Sequence, residues 1–245
     1  MPGQFHMINN EEDEARRIKE VYNKRDALTG DRYAFYQADL RLQMSSREWA
    51  ICHFLKSAFD GDLQNIKILD VGCGMGDWLR TLLNWGATAE NLTGTEFLDD
   101  RLEHARQISA KGINWHLGGL ESLPADEKFH LVSAFTVFTS ILDQNVRENL
   151  AREIWDRVMP GGWVLIFDFR YNHPSNKDVR KLTRDEMYDW WPSSVRAYRT
   201  LWLVPPLARR IAAMGYLTPQ ILSVLFPFLR SHFIYTVQKP VSNNE

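Results

Sequence analysis

Only two of the 245 residues are cysteine, Cys52 and Cys73, and their spacing fits neither a zinc site nor a disulfide framework. Such usage suits a reducing compartment, and we expect a cytoplasmic protein. Net charge is nearly absent too: 29 basic side chains against 31 acidic ones leave −2, so no overall field directs the chain to duplex nucleic acid or an anionic membrane. Long unbroken apolar runs are missing. The opening MPGQFHMINNEEDEARR turns acidic where a secretory signal is apolar. The most apolar stretch, Leu201 to Leu229, is interrupted by Pro205, Pro206, Arg209, Arg210, Pro219 and Pro227, which argues against a transmembrane segment. There is no internal repeat and no low-complexity tract.

What is present is an ordinary globular balance, 44% apolar and 24% charged, in a length that suits one α/β domain rather than two. Short apolar runs at 66–71, 91–97, 113–117, 129–135 and 161–169 read as strands, three of them with the continuous character of strands covered on both faces. Between them lie stretches with apolar residues three and four apart, with Gly86 and Gly112 placed as C-caps. Such alternation predicts a Rossmann-like, seven-stranded, mostly parallel sheet with helices on both faces. A capped helix opens at Thr183, a strand follows over 195–204, and SHFIYTVQKP makes an antiparallel last strand. Residues 1–60 read as an N-terminal helical cap or lid, and 61–245 as the Rossmann-like body, with a helical insertion over 205–229; together they form one structural domain.

The chemistry concentrates in ILDVGCGMGDWL, residues 68–79. Gly72, Gly74 and Gly76 let the backbone turn sharply and approach a ligand, and the helix that follows offers unpaired N–H groups. Cys73 fits between glycines by its small size. Glu96, at the end of the next strand, is placed to accept hydrogen bonds from ribose hydroxyls, which makes this an adenosine site. A nicotinamide fingerprint needs G-x-G-x-x-G, but Asp77 stands where its third glycine belongs, and no lysine follows as a phosphate loop requires.

DVGCGMG, the acidic strand end in GTEFLDDRLEHAR, the LESLP turn and the strand in MPGGWVLIFDF together resemble the class I S-adenosylmethionine-dependent methyltransferases, over Asn65 to Phe169. The resemblance implies S-adenosyl-L-methionine as cofactor. It also implies that Asp70 helps hold the methionine amino group, that Gly72 and Gly74 pass close to the methionine part, and that Glu96 binds ribose. Where the family carries an acid for the adenine amine, this chain has Gly119, so the expectation passes to backbone near Leu120, to Phe97 and Leu98, and to Glu121 as a substitute. Phe135 and Thr136 match positions lining the sulfonium end, where an aromatic face suits a cation.

For the acceptor's proton, His173 and Tyr171 follow the fifth strand at the edge where such folds bind ligands, with Asp168 placed to orient them. Ser133 to Thr136 contain no acids, so no metal is expected. Tyr33 and Tyr36 are candidates for closing over the site, and Trp190 and Trp191 for stacking a sugar ring. The motifs that mark nucleic-acid base methylation are absent after the fourth strand. DFRYNHPSNKDVRKLTRDEMYDWWP is similar to bacterial methyltransferases of polysaccharide and natural-product pathways, which implies O-methylation of a sugar or secondary metabolite. The alternatives are N-methylation, a non-catalytic binding partner, and an NAD-dependent dehydrogenase. The 205–229 insertion has four readings: a pocket wall, a homodimer surface, a patch for peripheral contact with a lipid-linked acceptor, or a simple cover for the sheet.

Overall fold

The computed structural model describes residues 2–28, 36–212 and 217–241. Its strands are β1 (Ile68–Val71), β2 (Leu92–Glu96), β3 (Asn114–Leu117), β4 (Phe129–Phe135), β5 (Val158–Phe169), β6 (Arg196–Leu203) and β7 (Arg230–Gln238). Its α-helices are α1 (Pro2–Leu28), α2 (Ala38–Phe59), α3 (Asp77–Asn84), α4 (Asp99–Ile108), α5 (Gln144–Arg157), α6 (Arg184–Trp190), α7 (Pro205–Ala212) and α8 (Leu217–Leu225). One seven-stranded sheet runs in the order β3-β2-β1-β4-β5-β7-β6. Strands β1 to β5 are parallel, and β7 runs against both of its neighbours, so six strands point one way and β7 the other. Strand order reverses between β1 and β4, the place where a crevice opens at the carboxyl ends of such a sheet.

Successive strand residues point to opposite faces, and here both faces are covered, which is why the central strands read as unbroken apolar runs. Along β5, Val164 and Ile166 enter a core shared with Ala151 and Ile154 of α5 and Met187 of α6. Leu165 and Phe167 enter the opposite core, with Ile51 and Leu55 of α2, Trp78, Leu79 and Leu82 of α3, and Leu102 of α4. The helix starts follow side-chain chemistry: Asp143 caps α5 by accepting from the N–H groups of Asn145 and Val146, and Thr183 with Glu186 forms a capping box on α6.

Two boundaries differ from the sequence reading. The fifth strand begins at Val158, directly after α5, because Val158 already pairs with Phe129; the ladder is then interrupted and resumes at Leu131–Trp163. Met159–Gly162 fill the bulge, with Gly161 at φ +80° and its N–H donating to Lys239 O at 2.9 Å. Gly86 ends α3 as expected, whereas α4 stops at Ile108 and Gly112 serves the turn into β3.

Trp191 is a correction of another kind. The indole is fully buried, its Nε1 donates to Ala151 O at 2.9 Å, and it packs on Phe138 and Tyr235, so it has no face to offer a sugar. Trp190 is only partly buried, stacked on Phe138 at 5.3 Å. Trp191→Ala should lower unfolding free energy by about 3–5 kcal/mol through lost burial and the remaining cavity, measured by urea denaturation. A loss under about 1 kcal/mol would contradict this packing.

Candidate functional site

At the reversal point β1 passes into the Gly72–Gly76 loop and then α3. Gly76, at φ +77°, sits so close to Trp115 that a Cβ would come within 2.6 Å of the ring. Gly74, at φ +55°, has nothing within 4 Å of the position a Cβ would take, so bare backbone faces open space there. Beside it the Glu96 carboxylate accepts the N–H of Gly74 at 2.8 Å and that of Leu98 at 3.0 Å, tying the loop to the end of β2. Each of its oxygens keeps a lone pair for a further donor.

Asp70 is buried in the middle of the sheet, in register with Ser133 of β4. Ser133 Oγ donates to it at 2.8 Å and receives Trp78 Nε1 at 3.1 Å. Burial raises the Asp70 carboxyl to about 7; the Ser133 hydrogen bond and the charge of Arg47 oppose the rise, and Glu96 adds to it.

Arg47 has no counterpart among the residues singled out in the sequence. It comes from α2, its guanidinium lies 5.3 Å from the centroid of Phe135 and 5.4 Å from that of Phe167, and its Nε is buried without a hydrogen-bond partner. Burial holds it below its ordinary value against the opposing charges of Glu48, Asp70 and Asp77. Nothing in REWAICHFLKSAF separates this arginine from a solvated helix charge; only the packing of α2 on the sheet does. His232 is a second such residue: it is buried on β7, 5.1 Å from the Phe167 ring, with Nδ1 2.8 Å from Ser231 Oγ. Burial and the charge of Arg47 drive it down to about 3, so the ring stays neutral.

The remaining expected ligand groups gather on the other side of the loop. Phe97 is half-exposed, and Glu121 turns back so that its Oε1 accepts the Gly119 N–H at 2.8 Å while its other oxygen crowds the place where a Gly119 Cβ would stand. The Glu121 carboxylate thus lies against Gly119. The carbonyl of Leu120 is already engaged by Arg157 Nη2 at 2.8 Å. Cys73 is buried, which pushes its thiol far above the usual range and keeps it unreactive. Thr136 stands at φ +58°, unusual for a β-branched residue; its N–H donates to Phe167 O at 2.7 Å, and this turns the chain away from β4.

Helix α1 lies across this edge. Glu14 accepts from Leu142 N–H and is bridged by Arg17 Nε at 3.0 Å, Tyr22 OH is 3.2 Å from Ser140 Oγ, and Arg101 of α4 sits over the Tyr22 ring. The lid expectation for Tyr33 falls outside the described residues, and Tyr36 is exposed at the start of α2.

The three residues expected to handle a proton do not form one group. His173 is exposed and its Nδ1 accepts Ser175 N–H at 3.2 Å, while Tyr171 OH donates to Phe228 O at 3.2 Å. Asp168 is fully buried and accepts the N–H groups of Thr139 and Phe169 at 3.1 and 2.8 Å. Its carboxylate therefore braces the turn after β4 and orients neither His173 nor Tyr171. Burial raises it to about 7, against those hydrogen bonds and the Arg147 charge.

Residues 68–162 match the model of a family described as a methyltransferase domain. The chain is 35% identical over 110 residues to the biotin biosynthesis bifunctional protein BioHC of Teredinibacter turnerae, covering 40% of this chain and 19% of that protein. It is 29% identical over 118 residues to the ubiquinone biosynthesis O-methyltransferase of Hydrogenovibrio crunogenus, 46% of each. The match thus spans less than half the length of either relative. In structure it is similar to magnesium protoporphyrin IX methyltransferase from Synechocystis with bound S-adenosylhomocysteine, at a TM-score of 0.59 and 14% identity, over 90% of this chain and 99% of that one. The family match and the fold agree: residues 68–162 are similar to a methyltransferase domain, and the sheet has the fold of solved methyltransferases.

The raised carboxyl of Asp70 has a consequence for stability. Its folded value of about 7 lies above the ordinary 3.8, so its contribution is full below about pH 4 and is lost as pH rises through 7. The stability of Asp70→Asn relative to the native chain should therefore improve from pH 4 to 7 and level off above, measured by urea denaturation across that range. A difference that stays flat would place the Asp70 carboxyl at its ordinary value.

Proposed function

We propose that the chain is a cytoplasmic S-adenosylmethionine-dependent methyltransferase of a small molecule, with a sugar or secondary-metabolite hydroxyl as acceptor. The observation that carries this reading is the bare backbone at Gly74, whose N–H the Glu96 carboxylate accepts, in the loop that follows the buried Asp70, whose carboxyl feels the charge of Arg47. These residues fit the cofactor's donor set. Asp70 would take the ammonium, Arg47 the carboxylate and Glu96 the ribose hydroxyls, while Phe97 would cover the adenine and Glu121 meet its amine. The Phe135 ring suits the sulfonium. When bound, the cofactor supplies a methyl group on a sulfonium, open to in-line displacement. The chain's own residues then need to hold the acceptor in line, keep water out beneath α1, and take a proton from the hydroxyl. His173 and Tyr171 stand at the right edge for the last task. The name of the Hydrogenovibrio relative favours oxygen over nitrogen as acceptor.

Calorimetric titration with S-adenosylmethionine and S-adenosylhomocysteine, with NAD as control, tests the reading. Micromolar binding of the first two and none of NAD is expected, weakened about tenfold or more in Glu96→Ala, a loss of about 1.4 kcal/mol. Binding of NAD alone would overturn the cofactor, and binding without transfer to any hydroxylated sugar or metabolite would make the chain a binding partner.

The cofactor's ammonium favours ionised Asp70, whose free value is about 7, so binding below pH 7 must release a proton. Affinity should rise from pH 6 to 8 in the native chain and stay level in Asp70→Asn. A pH-independent affinity in the native chain would remove Asp70 from the ammonium.

A further inference from the structure

The insertion between β6 and β7 starts and ends at the carboxyl edge of the sheet, the same edge as the Gly72–Gly76 loop, and it is held there from β5. Arg170 Nη1 donates to the carbonyls of Pro227 and Arg230 at 3.1 and 2.9 Å. Its inner helix, α7, packs properly, burying Ala208 and Ile211 against Leu203 of β6.

Helix α8 packs Leu222 on the Leu203–Ala208–Ile211 cluster but carries further apolar residues that this packing does not cover. Its polar residues Gln220 and Ser223 line a cleft of about 450 Å³ against α2 and β6, and Ser223 accepts Arg230 Nε through its carbonyl at 2.9 Å. Four other apolar residues of α8 and the turn after it are exposed: Ile221 at 55%, Val224, at the rim of the cleft, at 69%, Leu225 at 63% and Phe228 at 64%. Spacings of three and four residues set Ile221, Val224 and Leu225 on one face of the helix, and Phe228 follows in the turn after Phe226. An exposed apolar face of this kind marks a contact surface.

The charge around the stripe selects the contact. Arg199, Arg209 and Arg210 stand on β6 and α7 beside α8, and Asp39 is the acid among the residues lining the cleft there. Arg199 is exposed, lying over the Trp49 ring, and Arg210 is exposed on α7; Arg209 is paired with Asp39 at 3.7 Å. A two-fold contact with a second copy would bring this basic patch against itself, whereas an anionic lipid surface would pair with it while taking up the apolar stripe. No helix among the described residues is long and apolar enough to cross a membrane, so the segment can lie in an interface and not span it.

We propose that α8 and the turn after it are a docking surface for an anionic lipid leaflet, with Ile221, Val224, Leu225 and Phe228 entering the headgroup boundary and Arg199 and Arg210 meeting the lipid phosphates. Docked in this way, the carboxyl edge of the sheet faces the headgroups.

The full chain would be sedimented with vesicles of phosphatidylcholine alone and with about one quarter phosphatidylglycerol added. Binding to the mixed vesicles should be about tenfold tighter or more, and should weaken as salt shortens the screening length from about 10 Å at 0.1 M to 3 Å at 1 M. The double variant Val224→Asp, Phe228→Asp should lose vesicle binding while keeping the native circular dichroism spectrum and native affinity for S-adenosylmethionine. Arg199→Glu with Arg210→Glu should lose the preference for phosphatidylglycerol. Equal binding to both vesicle types, binding that survives the double variant, or no binding at all would overturn the proposal. So would a concentration-dependent dimer in ultracentrifugation that the double variant dissolves, which would assign the face to a second copy. None of these outcomes bears on cofactor binding, which the calorimetry reads separately.

Discussion

Burying a carboxylate inside a parallel sheet is costly, and the arrangement around Asp70 answers that cost only in part. The side chain lies next to Ser133 because β1 and β4 pair in register, and Ser133 is itself held by Trp78 from α3. Arg47 approaches from α2 and opposes the rise caused by burial. One ionisable group thus depends on two neighbouring strands, the helix after the glycine loop and the N-terminal helices. Those are also the elements whose ends form the crevice at the reversal of strand order, so satisfying this charge and shaping the site are the same structural task.

The edge strands work differently. Trp202 stands at φ +63° between two paired residues of β6, and its indole donates to Gln43 O of α2. It also meets the Phe167 and His232 rings, so the outer edge of the sheet, the N-terminal cap and the aromatic wall beside Arg47 are packed as one body. The insertion grows from this edge, which accounts for its place beside the ligand-binding end of the sheet and not at the opposite rim.

Much of the fold was legible because its signals are local. A strand covered on both faces must be apolar throughout, so β1, β4 and β5 announce themselves, and a glycine loop between a strand and a helix needs only adjacent residues to be recognised. The same holds for Glu96, one strand further on. Arg47, His232 and the inward turn of Glu121 were not legible, since each acquires its meaning from a group distant in the chain or from the path of its own side chain. For Trp191 and Asp168 the sequence left a site role and a structural one both open, because proximity in sequence to a site edge does not say whether a side chain faces the crevice or the core.

The amino-acid sequence by itself determined the order of elements, the glycine loop with its acidic partner, and the two-faced burial of the central sheet, because periodicity and turn chemistry act over a few residues. Tertiary structure alone decided which charged groups meet around Asp70, that Asp168 braces a turn, and that the stripe of α8 points outward. Helical periodicity defines a face but not its direction, and a buried charge is answered by whatever distant residue the packing of whole elements brings to it.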